Sequence, residues 1–328
     1  MRIFLTGASG FIGSHVMAQL LARGDDVVAL SRQGRNAPHL RGVDSSSLTV
    51  ASGDLLAPGG YHDAVASCEA VVHIAGWIST RKQDAERLRS LNVEATEQLW
   101  KVCREVRPKR IVYLASIFAH GRGKGLVPCD ESAAYDPGIL ELPVPYFRAK
   151  REAELLTWRY CREHDLPIVF GYPGYCVGPG DTYLSSMRVV RDFLRGWVPA
   201  YVPGAMSFID VRDAATGLLG CLDQGKVGEK YLLSEHNLPW RSFFDVLGEV
   251  TGRRSPMLAL PKRPAQWLGR VAERISLGGL VAEGDCAVMG GTWYYDGTKA
   301  RRELGMPTRP LAVSLTDGVA WLRGAGMV

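Results

Sequence analysis

The sequence predicts an α/β fold: a doubly wound parallel sheet (Rossmann-type) carrying a smaller C-terminal substrate lobe. Three observations predict it. Strand-like apolar runs alternate with helical patterns through the first half of the 328 residues. Several runs, such as "AVVHI" and "RIVYLA", are almost wholly apolar, as expected of strands covered on both faces. Between the first strand and the first helix lies "TGASGFIGSH", residues 6–15, with Gly7, Gly10 and Gly13 spaced three apart.

The elements follow in order. Strands are expected at 2–5, 26–30, 48–51, 70–74, 110–115 and 167–171, and helices at 11–23, 61–68, 84–105 and 146–164. After Tyr172, "PGYCVGPGD" reads as a Pro/Gly-rich loop. Helical patterns resume at 183–195, 211–224, 240–251, 262–275 and 298–304, and "VGEKYLLS" reads as one more strand. The expected division places 1–172 and 209–233 in the nucleotide-binding domain, and 173–208 and 234–328 in the smaller lobe.

Composition narrows the function. With 46% hydrophobic and 22% charged residues, the chain has the make-up of a globular protein. The net charge of +5 comes from scattered Lys and Arg, which argues against nucleic-acid binding. The seven cysteines never lie closer than 15 residues apart, so no metal-binding spacing exists and reduced thiols are expected. No apolar run is long enough to span a membrane, and no signal-like segment opens the chain, so a cytoplasmic location is the expectation.

The glycine turn brings backbone N–H groups and the positive end of a helix dipole toward a pyrophosphate. Thr6, Gly7, Gly10, Phe11, Ile12 and Gly13 are the residues of that cradle. About 20 residues further on, an NAD binder carries Asp or Glu for the ribose hydroxyl. Here Ser31 and Arg32 end "VVALSR". A guanidinium attracts a 2′-phosphate that a carboxylate repels, so NADP(H) is the expected cofactor.

"YFRAK" places Tyr146 and Lys150 four residues apart, on one face of a helix. Free tyrosine titrates near 10, and a neighbouring ammonium is expected to lower that value. Such a phenol can exchange a proton with a carbonyl or alcohol oxygen. A second YxxxK, Tyr295 to Lys299, contains Asp-Gly and reads as a turn.

The TGxxGxxG spacing, "VVHIAGW", "YFRAK" and "YPGYCVGPGD" together resemble the extended short-chain dehydrogenase/reductase family, over nearly the whole chain. The resemblance is strongest to its dihydroflavonol reductase, 3β-hydroxysteroid dehydrogenase and hopanoid-associated epimerase-like group. It implies that Asp54 and Leu55 of "SGDLL" meet the adenine. It further implies that the cofactor passes Ala75 and Gly76, that Pro173 borders the nicotinamide, and that Lys150 binds its ribose. Counting back from Gly121 in "YLASIFAHG", it implies Ser116 as the hydroxyl that binds the substrate oxygen, completing Ser116, Tyr146 and Lys150. His73 reads as a packed strand histidine and Asn92 as a structural hydrogen-bonding residue. Asp210 and Asp213 of "FIDVRDAA" read as anchors between lobes. Homodimers through helices of the first domain are a family habit.

Trp77, Ile78, Ile117, Phe118, Tyr175, Tyr183 and Phe208 form an expected pocket suited to a lipophilic or aromatic carbonyl compound or alcohol. The same residues can instead fill the core between the lobes. Two other readings stay open: an NAD-dependent nucleotide-sugar epimerase, and a non-catalytic NADP-binding sensor. Against the first, Tyr175 stands where sugar-nucleotide enzymes of the family carry Asn. Against the second, the tyrosine is retained.

Overall fold

Ile3, Phe4 and Leu5 are fully buried because their strand, β1 (Arg2–Thr6), lies between two parallel neighbours in a sheet covered on both faces. The computed structural model describes residues 1–123, 125–274 and 282–328. β2 (Asp26–Ser31) and β3 (Leu48–Ser52) extend the sheet on one side of β1. β4 (Ala70–His73), β5 (Arg110–Leu114) and β6 (Ile168–Pro173) extend it on the other. β7 (Tyr175–Val177), β8 (Ala200–Tyr201) and β9 (Ala205–Asp210) leave this sheet, and β10 (Lys230–Leu233) returns to its edge beside β6. The seven strands run β10-β6-β5-β4-β1-β2-β3, all parallel.

β11 (His236–Pro239), β12 (Leu258–Ala259) and β13 (Thr292–Trp293) complete the strands. β9 is the centre of a second, mixed sheet, flanked by β7, β11 and β13. β8 and β12 form a short separate pair.

The helices are α1 (Phe11–Ala22), α2 (His62–Ala66), α3 (Ala85–Arg89), α4 (Ala95–Val106), α5 (Pro145–Glu163) and α6 (Arg188–Leu194), then α7 (Val211–Asp223), α8 (Trp240–Thr251), α9 (Lys262–Arg274), α10 (Glu283–Met289), α11 (Thr298–Leu304) and α12 (Leu311–Gly324). α1 packs on α7 along one face of the main sheet, and α4 packs on α5. α8 and α12 pack together beside the second sheet. α11, placed by the sequence in the smaller lobe, packs on α7 and β10.

Three elements differ from expectation. The helix expected at 84–105 is α3 and α4 joined through a wide π turn at Ser90–Glu94. The helix expected at 183–195 begins only at Arg188, because the buried Asp181 carboxylate accepts hydrogen bonds from Ser185, Ser186 and Met187 backbone N–H groups. Leu184 takes a left-handed φ of 52° in that turn. The second sheet is legible only in fragments, since most of its strands have four residues or fewer. Ile275, the expected end of α9, lies outside the described residues.

Candidate active site

The strand order reverses between β1 and β4, and the crevice of a doubly wound sheet opens at that point. Gly7 turns the chain there with φ +78°, and a Cβ on it would lie 2.7 Å from the Ala75 nitrogen. A Cβ on Gly13 would run into the Gly7 carbonyl oxygen. Both glycines therefore let β1, α1 and the end of β4 close together. Gly10 caps α1 without a side-chain hydrogen bond, and the first turn carries no acidic residue. The free N–H groups of that turn and the dipole fit a phosphate anion. Phe11 is buried beneath the turn and Ile12 half-buried.

Beneath the turn runs a closed set of hydrogen bonds. Thr96 Oγ1 donates to the Asn92 carbonyl (2.7 Å) and accepts from His73 Nε2 (2.9 Å). His73 Nδ1 is then the acceptor for Thr6 Oγ1 (2.7 Å), whose oxygen accepts from the Ile74 and Ala75 N–H groups. Burial depresses the imidazole to about 3, so His73 is neutral. It is a fully paired structural residue.

Ser31 is buried at the end of β2, its Oγ accepting from the Gln33 N–H. Arg32, next in the chain, is exposed and makes no hydrogen bond or ion pair among the described residues. Asp54 and Leu55 follow β3 half-buried, with Asp54 Oδ1 accepting from Leu56 N–H. Ala75 is half-buried and Pro173 buried at the carboxyl ends of β4 and β6. Gly76 has a protein reason to be glycine: a Cβ would lie 2.8 Å from Asn92 Oδ1. That oxygen accepts from Trp77 N–H (3.0 Å), and Asn92 Nδ2 donates to Trp77 O and Leu88 O. The π turn places this amide, as such turns often do near sites.

Ser116 follows β5 and caps a short 3₁₀ turn, Ile117–Ala119, accepting from Phe118 N–H at 3.3 Å. Tyr146 and Lys150 lie on the first turns of α5. Lys150 Nζ donates to Leu114 O at 3.0 Å, which ties α5 to the carboxyl end of β5. Tyr146 is pushed up to about 12 by burial, opposed by a hydrogen bond from Ser116. Against the expectation of a lowered value, burial raises the phenol on balance, and the opposing influence is Ser116 rather than Lys150. Burial also lowers Lys150, to about 8, while Glu154 one turn along opposes the shift. Glu154 is itself fully buried, paired with Arg151 and accepting from Tyr172 OH (2.5 Å).

The expected pocket residues separate. Phe118 stacks on Phe147 (4.5 Å), edges Trp293 (4.9 Å) and lies 6.4 Å from Tyr146, between ring centroids. Trp77 lies under Arg87, 4.3 Å away, and Ile78 is exposed. Ile117 is buried, and its carbonyl accepts from Tyr295 OH at 3.0 Å. Tyr175 donates to Ser186 O (2.7 Å) and contacts Phe208 and Trp240. Phe208 has no exposure and stacks on Phe243, so it is core and offers no surface to a ligand. Tyr183 stands out in solvent. Sequence reasoning missed Trp293 and marked Tyr295 only as part of a turn; the aromatic run "TWYY" is the signal that could have found both. Among the described residues there is no cluster able to hold a metal ion.

A model of the NAD dependent epimerase/dehydratase family matches residues 3–234. The chain belongs to that family. Sterol demethylase protein B of Methylococcus capsulatus is 29% identical to it, each chain covered in full. A 4-hydroxy-2-methyl-3-oxo-4-farnesyl-3,4-dihydroquinoline-1-oxide ketoreductase of Stigmatella aurantiaca is 28% identical over 99% of this chain and 97% of its own. Among solved structures, PA4631 of Pseudomonas aeruginosa, described as a nucleoside-diphosphate-sugar epimerase, superposes with a TM-score of 0.77 at 26% identity, covering 100% and 99%. The epimerase/dehydratase family thus confirms both the extended short-chain dehydrogenase/reductase resemblance and the Rossmann-type sheet.

Proposed function

We propose that this protein is an NADP(H)-dependent oxidoreductase that reduces a ketone or aldehyde on a lipophilic or aromatic small molecule, or oxidises the corresponding secondary alcohol. The observation that supports the reading is that Lys150 is tied to the carboxyl end of β5, where Ser116 follows and hydrogen-bonds to Tyr146. The cradle of Gly7, Gly10 and Gly13 fits a pyrophosphate. Arg32, exposed and unpaired among the described residues, suits a 2′-phosphate. Ser31, Asp54, Leu55, Ala75, Gly76 and Pro173 would line the rest of the cofactor, which supplies or accepts a hydride when bound.

The chain's own residues do the proton work. Ser116 donates a hydrogen bond to the substrate oxygen. Tyr146, a neutral phenol at neutral pH, gives its proton to that oxygen as charge develops on it. Lys150 holds positive charge behind the phenolate that results. Phe118 and Trp293 present apolar surface next to Tyr146. The ketoreductase relative, named for a farnesylated quinoline, supports a lipophilic substrate.

A panel of aromatic, steroid-like and aliphatic carbonyls with NADPH, followed by loss of NADPH absorbance, tests the reading. Turnover should fall by about 100-fold or more in Tyr146→Phe. Arg32→Asp should shift preference from NADP toward NAD; an unchanged preference overturns the cofactor assignment. The PA4631 likeness favours a second reading, nucleotide-sugar epimerisation. A protein inert to the panel that carries tightly held NAD and isomerises a nucleotide sugar would establish that reading instead.

A further inference from the structure

We propose that the outward face of α9 docks on an anionic lipid surface. The proposal concerns a site outside the cleft and stands whatever reaction the cleft performs.

The rotation of α9 is fixed by its inner stripe. Ala265 and Gly269 are buried, and a Cβ on Gly269 would lie 2.8 Å from the Glu283 nitrogen at the start of α10. At 3.6 residues per turn, Pro264, Trp267 and Val271 lie opposite that stripe, and Leu268 lies beside them on the flank. Trp267 is 59% exposed and Leu268 48%. Just ahead of the helix, Met257 and Leu258 are exposed as well. A Trp and a Leu exposed side by side on one helix mark a surface that something covers.

Charge says what covers it. Arg263, Arg270 and Arg274 run along one border of the apolar stripe, and Arg270 is already paired with Glu283 of α10. Arg263 and Arg274 are exposed and make no ion pair among the described residues. The single acidic residue of α9, Glu273, is turned the other way and accepts from Glu283 N–H. The outer face therefore offers Trp and Leu rimmed by guanidinium groups, with no carboxylate of its own helix among them. A negative headgroup layer over an acyl interior complements that arrangement; nucleic acid would leave the apolar stripe unmatched. No helix among the described residues is long and apolar enough to cross a membrane, so α9 would lie in the interface plane.

The position suits a lipophilic substrate. Trp293 Nε1 donates to Val288 O of α10 at 2.8 Å, and the Trp293 ring packs on Phe118, beside Tyr146. A bilayer against α9 would thus lie one helix layer beyond the aromatic wall of the cleft.

Flotation of the full chain with vesicles tests the proposal. The chain should float with phosphatidylcholine–phosphatidylglycerol vesicles at low salt, and remain behind with pure phosphatidylcholine or at high salt. A Trp267→Ser/Leu268→Ser pair and, separately, an Arg263→Glu/Arg274→Glu pair should each lower the floated fraction about tenfold, with circular dichroism and melting unchanged. The proposal is overturned if the parent fails to float with the anionic vesicles, or if both variants float as it does. It is equally overturned if sedimentation shows Trp267 and Leu268 joining two copies of the chain with no vesicle binding.

Discussion

Lys150 shows the cost of holding a charge in a buried place, one helical turn from the phenol of the proposed reaction. Its folded value of about 8 lies below the ordinary 10.5, so between these limits the unfolded chain binds more protons than the folded one. Stability must therefore rise with pH across that window, and below it the burial penalty is fully present. Lys150→Met should stabilise the protein at neutral pH by on the order of 2 kcal/mol while abolishing turnover, and the gain should fade by about pH 10. Denaturant melts at the two pH values check the sign. Gly76 makes a second residue-scale case. Gly76→Ala sets a Cβ against Asn92 Oδ1 and displaces the acceptor of Trp77 N–H. A loss of about 1–3 kcal/mol in melts is expected. The spacing of Tyr146 and Lys150 was legible in the sequence. The upward direction for Tyr146 was not, because burial is a property of the packed site that residue spacing does not carry.

At the scale of elements, the main sheet was readable because its strands are buried on both faces, and uninterrupted apolar runs such as Ile111-Val112-Tyr113 carry that fact in their composition. The segment after Val177 was not. There the apolar spacing of "TYLSSMRVV" reads as helix, yet Asp181 gathers four donors, the N–H and Oγ of Ser185 and the N–H groups of Ser186 and Met187, and holds the chain in a turn. A carboxylate with no exposure outcompetes helix propensity locally. Asp181→Ala should cost about 2–4 kcal/mol, since it strands several donors at once, and chemical denaturation measures it.

At the scale of the molecule, the junction between the two sheets holds its own acid cluster. Asp210 caps α7 and pairs with Arg212 and Arg309, and Asp213 pairs with Arg309 ahead of α12. Glu235, after β10, has a buried Oε1 without a partner as a carboxylate. Burial and the proximity of Asp213 raise its value well above the ordinary 4.5, and once protonated it donates to Asp213. The folded state then holds a proton that the unfolded state has released, so stability falls as pH rises above 4.5. Glu235→Gln, which keeps a donor there, should stabilise the protein by about 1 kcal/mol or more in mildly alkaline buffer and by nothing near pH 4.5, as thermal melts will show. "FIDVRDAA" made Asp210 and Asp213 visible in the sequence; Glu235 and Arg309, distant in the chain, gave no local sign. The aromatic residues posed the converse difficulty. Phe118 and Phe208 look alike in sequence, and only packing separates the wall beside Tyr146 from the core.

The bond from Tyr295 OH to Ile117 O joins positions 178 residues apart and braces the turn next to Ser116. A chimera that grafts a foreign C-terminal segment onto this sheet would keep the brace only if the donor also supplies that hydroxyl. Without it, the graft would loosen the turn that holds Ser116, and lost activity would be misread as lost recognition of the new ligand.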